Sequence, residues 1–412
     1  MAEIVVMVTT SYPRFPGDSV GTFMEPIAKS VAARGHEVHV VAPWHPLVRR
    51  APVEDGVHFH FFKYAPLSAL NVFGYASAMR ADVSLRGAAY AAAPLAIAAG
   101  WRAARTIALR HRATIMHGHW VIPGGFMAAT AVPSLPLVVS LHGSDVYVAE
   151  TLSPARRAAG YVFRRAGAVT ACSADLARRA IRLGADPGSI EVVPYGVDID
   201  RFRPQAGARE ATRARLGVGP AGLLVCAAGR LVRKKGFEYL VDAIGLITPQ
   251  PPIVLAIAGE GDLRSELEER ARKIGVAERV RFLGNLSQDE VGAHFAAADI
   301  VAVPSVRDDS GNVDGLPNVV LEALAAGAPL VTTAAGGIGA VVEHGRTGMI
   351  VPERDSSALA GAIATLSSDP TARTRLGDAG RRLVAERYGW AAAAVSFESA
   401  YRHALARKSA ER

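Results

Sequence analysis

The chain has 412 residues, half of them hydrophobic, enough for two domains of about 200 residues with cores of their own, and it lacks the polar bias of extended disorder. Its net charge of +8 comes from forty Arg and six Lys, and no basic stretch is interleaved with aromatics. Nucleic acid is therefore excluded as a partner, whereas an anionic ligand or peripheral contact with an anionic membrane surface fits the charge.

The start, through Val8, lacks a basic head and its apolar run is too short for a signal peptide, so it reads as a first strand. Apolar runs at 4–8, 36–41, 57–62, 114–117, 136–141 and 166–171 alternate with helix-length segments, which predicts a parallel sheet with helices on both faces. The loop after the first strand ends at Gly21, before a helix predicted over 23–34; a glycine at such a junction lets backbone approach a ligand closely. Residues 82–112 read as a long helical region with a solvated basic face carrying Arg86, Arg102, Arg105, Arg110 and Arg112. Its apolar part, 88–101, is interrupted by Pro94 and falls well short of the roughly 20 residues that span a bilayer.

His117-Gly118-His119-Trp120 follows a strand, and strand alternation puts both histidines on one face. No third ligand at a supporting spacing and no cysteine accompanies them, so no metal is expected there. His142-Gly143-Ser144-Asp145 places a histidine and a carboxylate at the C-terminal end of a buried strand, where open parallel sheets bind ligands. The Pro- and Gly-containing stretch 203–220 marks a domain boundary near 203. Cys172 and Cys226, one in each half, have the apolar surroundings of reduced core thiols in a cytoplasmic protein.

The second half repeats the pattern through 223–228, 253–258, 280–283, 300–303 and 330–333, predicting a second doubly wound domain over 204–389. Its first strand runs into Gly229-Arg230-Leu231-Val232-Arg233-Lys234-Lys235-Gly236, a glycine-bracketed basic loop. A planar Arg fork and a mobile Lys charge together neutralise the two phosphates of a nucleoside diphosphate. Gly259-Glu260-Gly261 and Gly336-Gly337 are further glycine turns. In Asp314-Gly315-Leu316-Pro317-Asn318-Val319-Val320-Leu321-Glu322, one carboxylate precedes a helix predicted over 319–326 and the other lies within it. A helix start favours phosphate, and carboxylates beside phosphate make sense as acceptors from hydroxyl groups of the same ligand; together they specify a sugar nucleotide.

At these residues the chain resembles the retaining glycosyltransferases of family 4, which have the GT-B fold: two Rossmann-like doubly wound domains facing a central cleft. The family carries Glu-x7-Glu where this chain has Asp314 and Glu322, and its Gly-Arg-Leu-x-x-x-Lys-Gly matches Arg230 and Lys235, leaving Arg233 and Lys234 at variable, solvated positions. The resemblance implies that Asp314 holds hydroxyls of the transferred sugar and Glu322 the ribose. Gly21, Arg230, Lys235 and the Gly315, Leu316, Pro317 and Asn318 segment would join them around the donor. His142 inherits a sugar-side role, Asp145 an acceptor-side or orienting one, and His119 an acceptor-pocket wall; Tyr195 replaces the Asn of the family's Asn-Gly-Val-Asp. The terminal helix, predicted over 391–406, returns to the N-terminal domain (1–203) in similar proteins.

The implied activity is transfer of a hexosyl group from a UDP- or GDP-linked sugar to a saccharide, lipid-linked or small-molecule acceptor. No cofactor is required, and no metal, since no Asp-x-Asp run stands in the expected place. Catalysis would rest on His142, Arg230, Lys235 and Asp314. Two alternatives stay open: a sugar-nucleotide epimerase of the same fold, and a non-catalytic sugar-nucleotide-binding protein. An NAD dehydrogenase is less favoured because no Gly-x-Gly-x-x-Gly follows the first strand of either half.

Overall fold

The computed structural model describes residues 2–18, 20–75, 79–80, 84–85, 87–203, 207–248 and 251–410. They fall into two compact units, Met1–Tyr195 with Trp390–Arg412, and Gly196–Gly389. The division lies upstream of the Pro- and Gly-containing stretch that the sequence marks, because the segment after Gly196 pairs within the second unit: Val197 bridges to Gly389 and donates its N–H to Tyr388 O.

The first unit contains β1 (Ile4–Val8), β2 (Glu37–Pro43), β3 (Val53–Glu54), β4 (Val57–Phe62), β5 (Met79–Arg80), β6 (Ser84–Leu85), β7 (Ile115–His119), β8 (Leu137–Leu141), β9 (Ala168–Ala171) and β10 (Ile190–Val192). Eight of these form one sheet in the order β10-β9-β8-β7-β1-β2-β4-β3, parallel except at the β3–β4 edge. The central strands β1 and β8 are Val-rich runs, and they and β7 are buried almost along their whole length, as expected where helices cover both faces. Helix Gly87–Arg110 packs on β1, β2 and β4, and helix Trp390–Ala410 packs on β8, β9 and helix Met24–Ala32. The terminal helix is keyed in by a close approach: a Cβ at Gly167 would stand 2.8 Å from Ala404 Cα. Its Tyr401 hydroxyl lies 2.9 Å from His117 Nδ1.

The predicted helix over 82–112 is corrected at its start, since Ser84–Leu85 is a strand paired with Met79–Arg80 and the helix begins at Gly87. Asp82 and Arg86 lie outside the described residues. Among the described residues no helix is long and apolar enough to cross a membrane.

The second unit contains β11 (Leu223–Ala228), β12 (Ile253–Ala258), β13 (Val280–Gly284), β14 (Ile300–Val303), β15 (Leu330–Thr332) and β16 (Met349–Ile350), in the order β13-β12-β11-β14-β15-β16, all parallel. Val225, Leu255, Ile257 and Ile300 on the strands pack with Leu240 and Ile244 of helix Phe237–Leu246 in a buried apolar core. Both cysteines are buried.

Candidate active site

In the second unit β11 and β14 are neighbours, but the chain runs from β11 outward to β12 and from β14 outward to β15. Loops leaving such a pair diverge and open a crevice at the strand ends, the usual ligand site of open parallel sheets. The loop after β11 holds Arg230, Lys234 and Lys235, and the loop after β14 holds Asp314. The two touch at Gly236, whose φ of +65° and lack of a side chain are both required: a Cβ there would sit 2.0 Å from Pro304 O. Val306 N donates to Lys234 O across the same seam at 2.9 Å. On the other side of β11, Leu231 N donates to Glu260 O (3.0 Å) and Gly259 N to Gly284 O (2.7 Å), so the strand-end loops form one laced rim.

Charge is concentrated on that rim. Lys234 Nζ lies 2.9 Å from Asp314 Oδ1 and Lys235 Nζ lies 2.6 Å from Asp314 Oδ2. Burial alone would push the Asp314 carboxyl up, but the two ammonium groups outweigh it and hold it well below the usual carboxylate range. Burial lowers the Arg230 guanidinium, against the pull of Asp262 and Asp314. Glu322 lies on helix Asn318–Ala325, and burial pushes its carboxyl up to about 7 against Lys235 and Arg201. The structure therefore brings Arg230, Lys235, Asp314 and Glu322 into one electrostatic group.

Lys234, read from sequence as solvated, is corrected: it is 6 % exposed and shares Asp314 with Lys235. Arg233 does face solvent, paired with Glu266 at 2.6 Å.

Helix Asn318–Ala325 begins after Pro317 with no side-chain cap, so its first N–H groups can receive an anion. Asn318 and Glu322, four residues apart, share one helix face. Asn318 Oδ1 is buried without a hydrogen-bond partner among the described residues. Such an orphan costs about 1–3 kcal/mol, which a ligand hydroxyl can offset. Asp314 and Gly315 are packed from behind by Gly336, where a Cβ would stand 2.0 Å from Asp314 O.

In the first unit the corresponding switch falls between β1 and β7. After β1, Gly21 adopts φ +65° and Phe23 packs on Trp120, His142 and Tyr195, at centroid distances of 5.8, 4.8 and 4.9 Å. His142 Nδ1 lies 2.6 Å from Tyr195 Oη and its Nε2 lies 3.2 Å from His119 Nδ1. Burial, reinforced by His117, pushes His142 down to about 3, so it is a neutral imidazole at physiological pH.

Asp145 does not pair with that imidazole. It accepts from the backbone N–H of Val121 (2.7 Å), Gly143 (2.9 Å) and His142 (3.2 Å), tying the β7 loop to the β8 loop. At 3 % exposure and held by backbone N–H groups, it has the surroundings of the orienting alternative in the acceptor-side or orienting reading. His119, expected at the wall of the acceptor pocket, has no exposed surface and packs against the rings of His117 and His142. Tyr195, seen in the sequence only as a departure from the family pattern, proves to be the hydroxyl partner of His142.

Two Rossmann-like units, each with its polar residues at the switch point of a parallel sheet, define the GT-B class of fold. Residues 20–201 match the model described as Glycosyltransferase Family 4, and residues 208–383 the model described as Glycosyl transferases group 1. The chain belongs to this glycosyltransferase family, being 30 % identical over 420 residues to a glycogen synthase of Mycobacterium tuberculosis, with 99 % of this chain and 96 % of that one covered. It is 36 % identical over 260 residues to a GDP-mannose-dependent alpha-(1-6)-phosphatidylinositol monomannoside mannosyltransferase of the same organism; that match covers 62 % of this chain and 66 % of the relative, just under two thirds of its length. In fold, it resembles Anabaena Alr3699/HepE in complex with UDP-glucose, with a TM-score of 0.76 and 21 % identity over 97 % of this chain and 99 % of that one.

Proposed function

We propose that this glycosyltransferase moves a hexosyl group from a UDP- or GDP-linked sugar to an acceptor hydroxyl, with retention of anomeric configuration and without a metal ion, at the cytoplasmic side of the cell. The convergence of Arg230, Lys234 and Lys235 with Asp314 and Glu322 at the β11/β14 switch point carries this reading. Cations and a helix start suit a diphosphate, and the two carboxylates suit the hydroxyls on either side of it.

Without donor, Asp314 occupies both lysines. Donor binding draws Lys235 onto the diphosphate, and Asp314 exchanges that ammonium for sugar hydroxyls. Arg230, Lys235 and the N–H groups at Asn318 then stabilise the negative charge that grows on the departing diphosphate. As the bond from the anomeric carbon to the diphosphate breaks, the acceptor oxygen attacks the same face, and its proton passes to a diphosphate oxygen. His142, held by Tyr195, is assigned a sugar-side role. The acceptor is a saccharide, a lipid-linked saccharide or a small molecule in glycoconjugate synthesis, and the basic surface suits peripheral contact with an anionic membrane.

The test is a panel of UDP- and GDP-hexoses incubated with enzyme and chelator, with the released nucleotide identified and the anomeric configuration of the product read by NMR. Lys235→Ala is expected to lower turnover by about 100-fold or more while the protein stays folded. Near-wild-type turnover in that variant, epimerisation of the donor, or donor binding with no transfer or hydrolysis would each overturn the proposal.

A further inference from the structure

Four of the chain's twelve histidines meet at one edge of the first unit, away from every residue used above. In the β2–β4 pairing His39 is opposite His58, and Val41 opposite His60. Neighbours in register share a face, as do alternate residues along a strand, so His39, His58 and His60 project to one side of the sheet. Met7 is in register with both Val40 and His117, which puts His117 and His119 on the other side. The fourth ring, His111, follows helix Gly87–Arg110, the helix that packs on β2 and β4.

The rings are aimed at one another. His39 Nδ1 lies 3.0 Å from His60 Nε2, and the His111 ring centroid is 4.1 Å from that of His39 and 5.8 Å from that of His60. Potential ligand nitrogens of the three residues all lie within 4.8 Å of one another. The other nitrogen of His39, Nε2, lies 2.8 Å from Glu37 Oε1. A carboxylate that takes the N–H of one ring nitrogen fixes the tautomer and turns the lone pair of the other outward, as in the second shell of histidine metal sites. Burial holds both His39 and His60 below the ordinary imidazole range, His60 at about 4, with the neighbouring histidines adding to the effect and Arg110 adding to it at His60.

We propose that His39, His60 and His111 form a binding site for a borderline divalent transition-metal ion of the zinc type, with Glu37 orienting His39 from behind. Two imidazole nitrogens 3.0 Å apart can share one ion at bond lengths of about 2.0–2.1 Å. An all-imidazole first shell excludes magnesium and calcium, which require oxygen ligands. His58, whose ring centroid is 4.7 Å from that of His39, or a water completes the coordination. The ion enters past His111, a partly exposed member at 30 %, and clips the end of helix Gly87–Arg110 to the sheet edge. Its role is structural and independent of the transfer chemistry assigned to the second unit.

The experiment uses the full chain stripped with chelator, titrated with Zn2+ by calorimetry and with Co2+ by visible absorption. The expected result is one equivalent bound, an intense Co2+ band of four- or five-coordinate geometry, and a Zn2+-dependent rise in melting temperature. His60→Gln and His111→Gln are each expected to weaken binding by at least about 100-fold and Glu37→Gln by about 10–100-fold. The exposed His403→Gln serves as control and is expected to bind as wild type. Since His111 is partly exposed, His111→Gln should melt like wild type without metal, which separates lost ligation from lost folding. No saturable binding, six-coordinate Co2+, or unchanged affinity in His60→Gln and His111→Gln would each overturn the site. Transfer activity that survives chelation while the melting temperature falls to the metal-free value supports the structural role; activity that disappears with the ion overturns that role.

Discussion

Lys234 and Asp314, brought together from two different strand-end loops, form an ion pair at 2.9 Å with side-chain exposures of only 7 % and 15 %. Lys235 closes on the other oxygen of the same carboxylate, so a single acid neutralises two adjacent ammonium groups. Removing that acid leaves both cations side by side in a poorly solvated pocket. Asp314→Asn is therefore expected to destabilise the protein by about 3 kcal/mol, seen as a lower denaturant midpoint at unchanged slope. The sign with pH follows from the depressed carboxyl. Its stabilisation is complete above the ordinary aspartate range and is lost as pH falls through the lower folded-state value, so wild type and variant converge only in strong acid. A midpoint difference that already vanishes near pH 5 would contradict the pairing.

Glu322 titrates differently, with a carboxyl pushed up to about 7 by burial in the donor-free enzyme. A carboxylate that accepts ribose hydroxyls binds donor in its ionised form, whereas the diphosphate of a sugar nucleotide has no proton to exchange in this range. Donor affinity is therefore expected to rise between pH 6 and 8 and level off above, because free enzyme must release a proton below its pKa to bind. Calorimetry in buffers of different ionisation heat should register that proton release near pH 6.5. Glu322→Gln should lose both the pH dependence and about 10–100-fold in affinity, the worth of a charge-assisted hydrogen bond. Persistence of the slope in that variant would assign the titration elsewhere.

Gly236 offers a test that removes no functional group. Its φ of +65° costs a side-chain-bearing residue about 1–2 kcal/mol, and a Cβ would in addition meet Pro304 O at 2.0 Å. Gly236→Ala must push the loop carrying Lys234 and Lys235 away from the loop carrying Asp314. At least a tenfold rise in the donor KM is expected, about 1.4 kcal/mol, together with a lower melting temperature. Normal donor kinetics would show that the lacing of these loops does not position the site.

The central strands were readable because a strand buried on both faces is a continuous apolar run, and all six first-unit runs and all five second-unit runs end within two residues of the observed C-termini. The short edge strands β3, β10 and β16 have two or three residues each, too few for any period to register. Lys234 was misread for a different reason. Arg233, Lys234 and Lys235 occupy a single tight turn, in which successive side chains point roughly a third of a circle apart, so only the opposite loop decides which faces inward. His119 and Asp145 were correctly seen at strand ends, but how deeply a strand end is buried depends on the loops folded over it. The cluster of His39, His60 and His111 has no spacing signature at all, because a strand pairing and a helix end assemble it from three separate segments.

The helix Trp390–Ala410 belongs to the first unit, although the whole second unit separates it in sequence from the strands it covers. Until the ribosome has delivered those last turns, His117 lacks the Tyr401 hydroxyl, and β8 and β9 lack their cover. The nascent N-terminal sheet must therefore wait, incompletely dressed, while the intervening domain is made. Completion of the N-terminal unit thus follows synthesis of the entire second unit, and a chain stopped at Gly389 would present that apolar strip to chaperones.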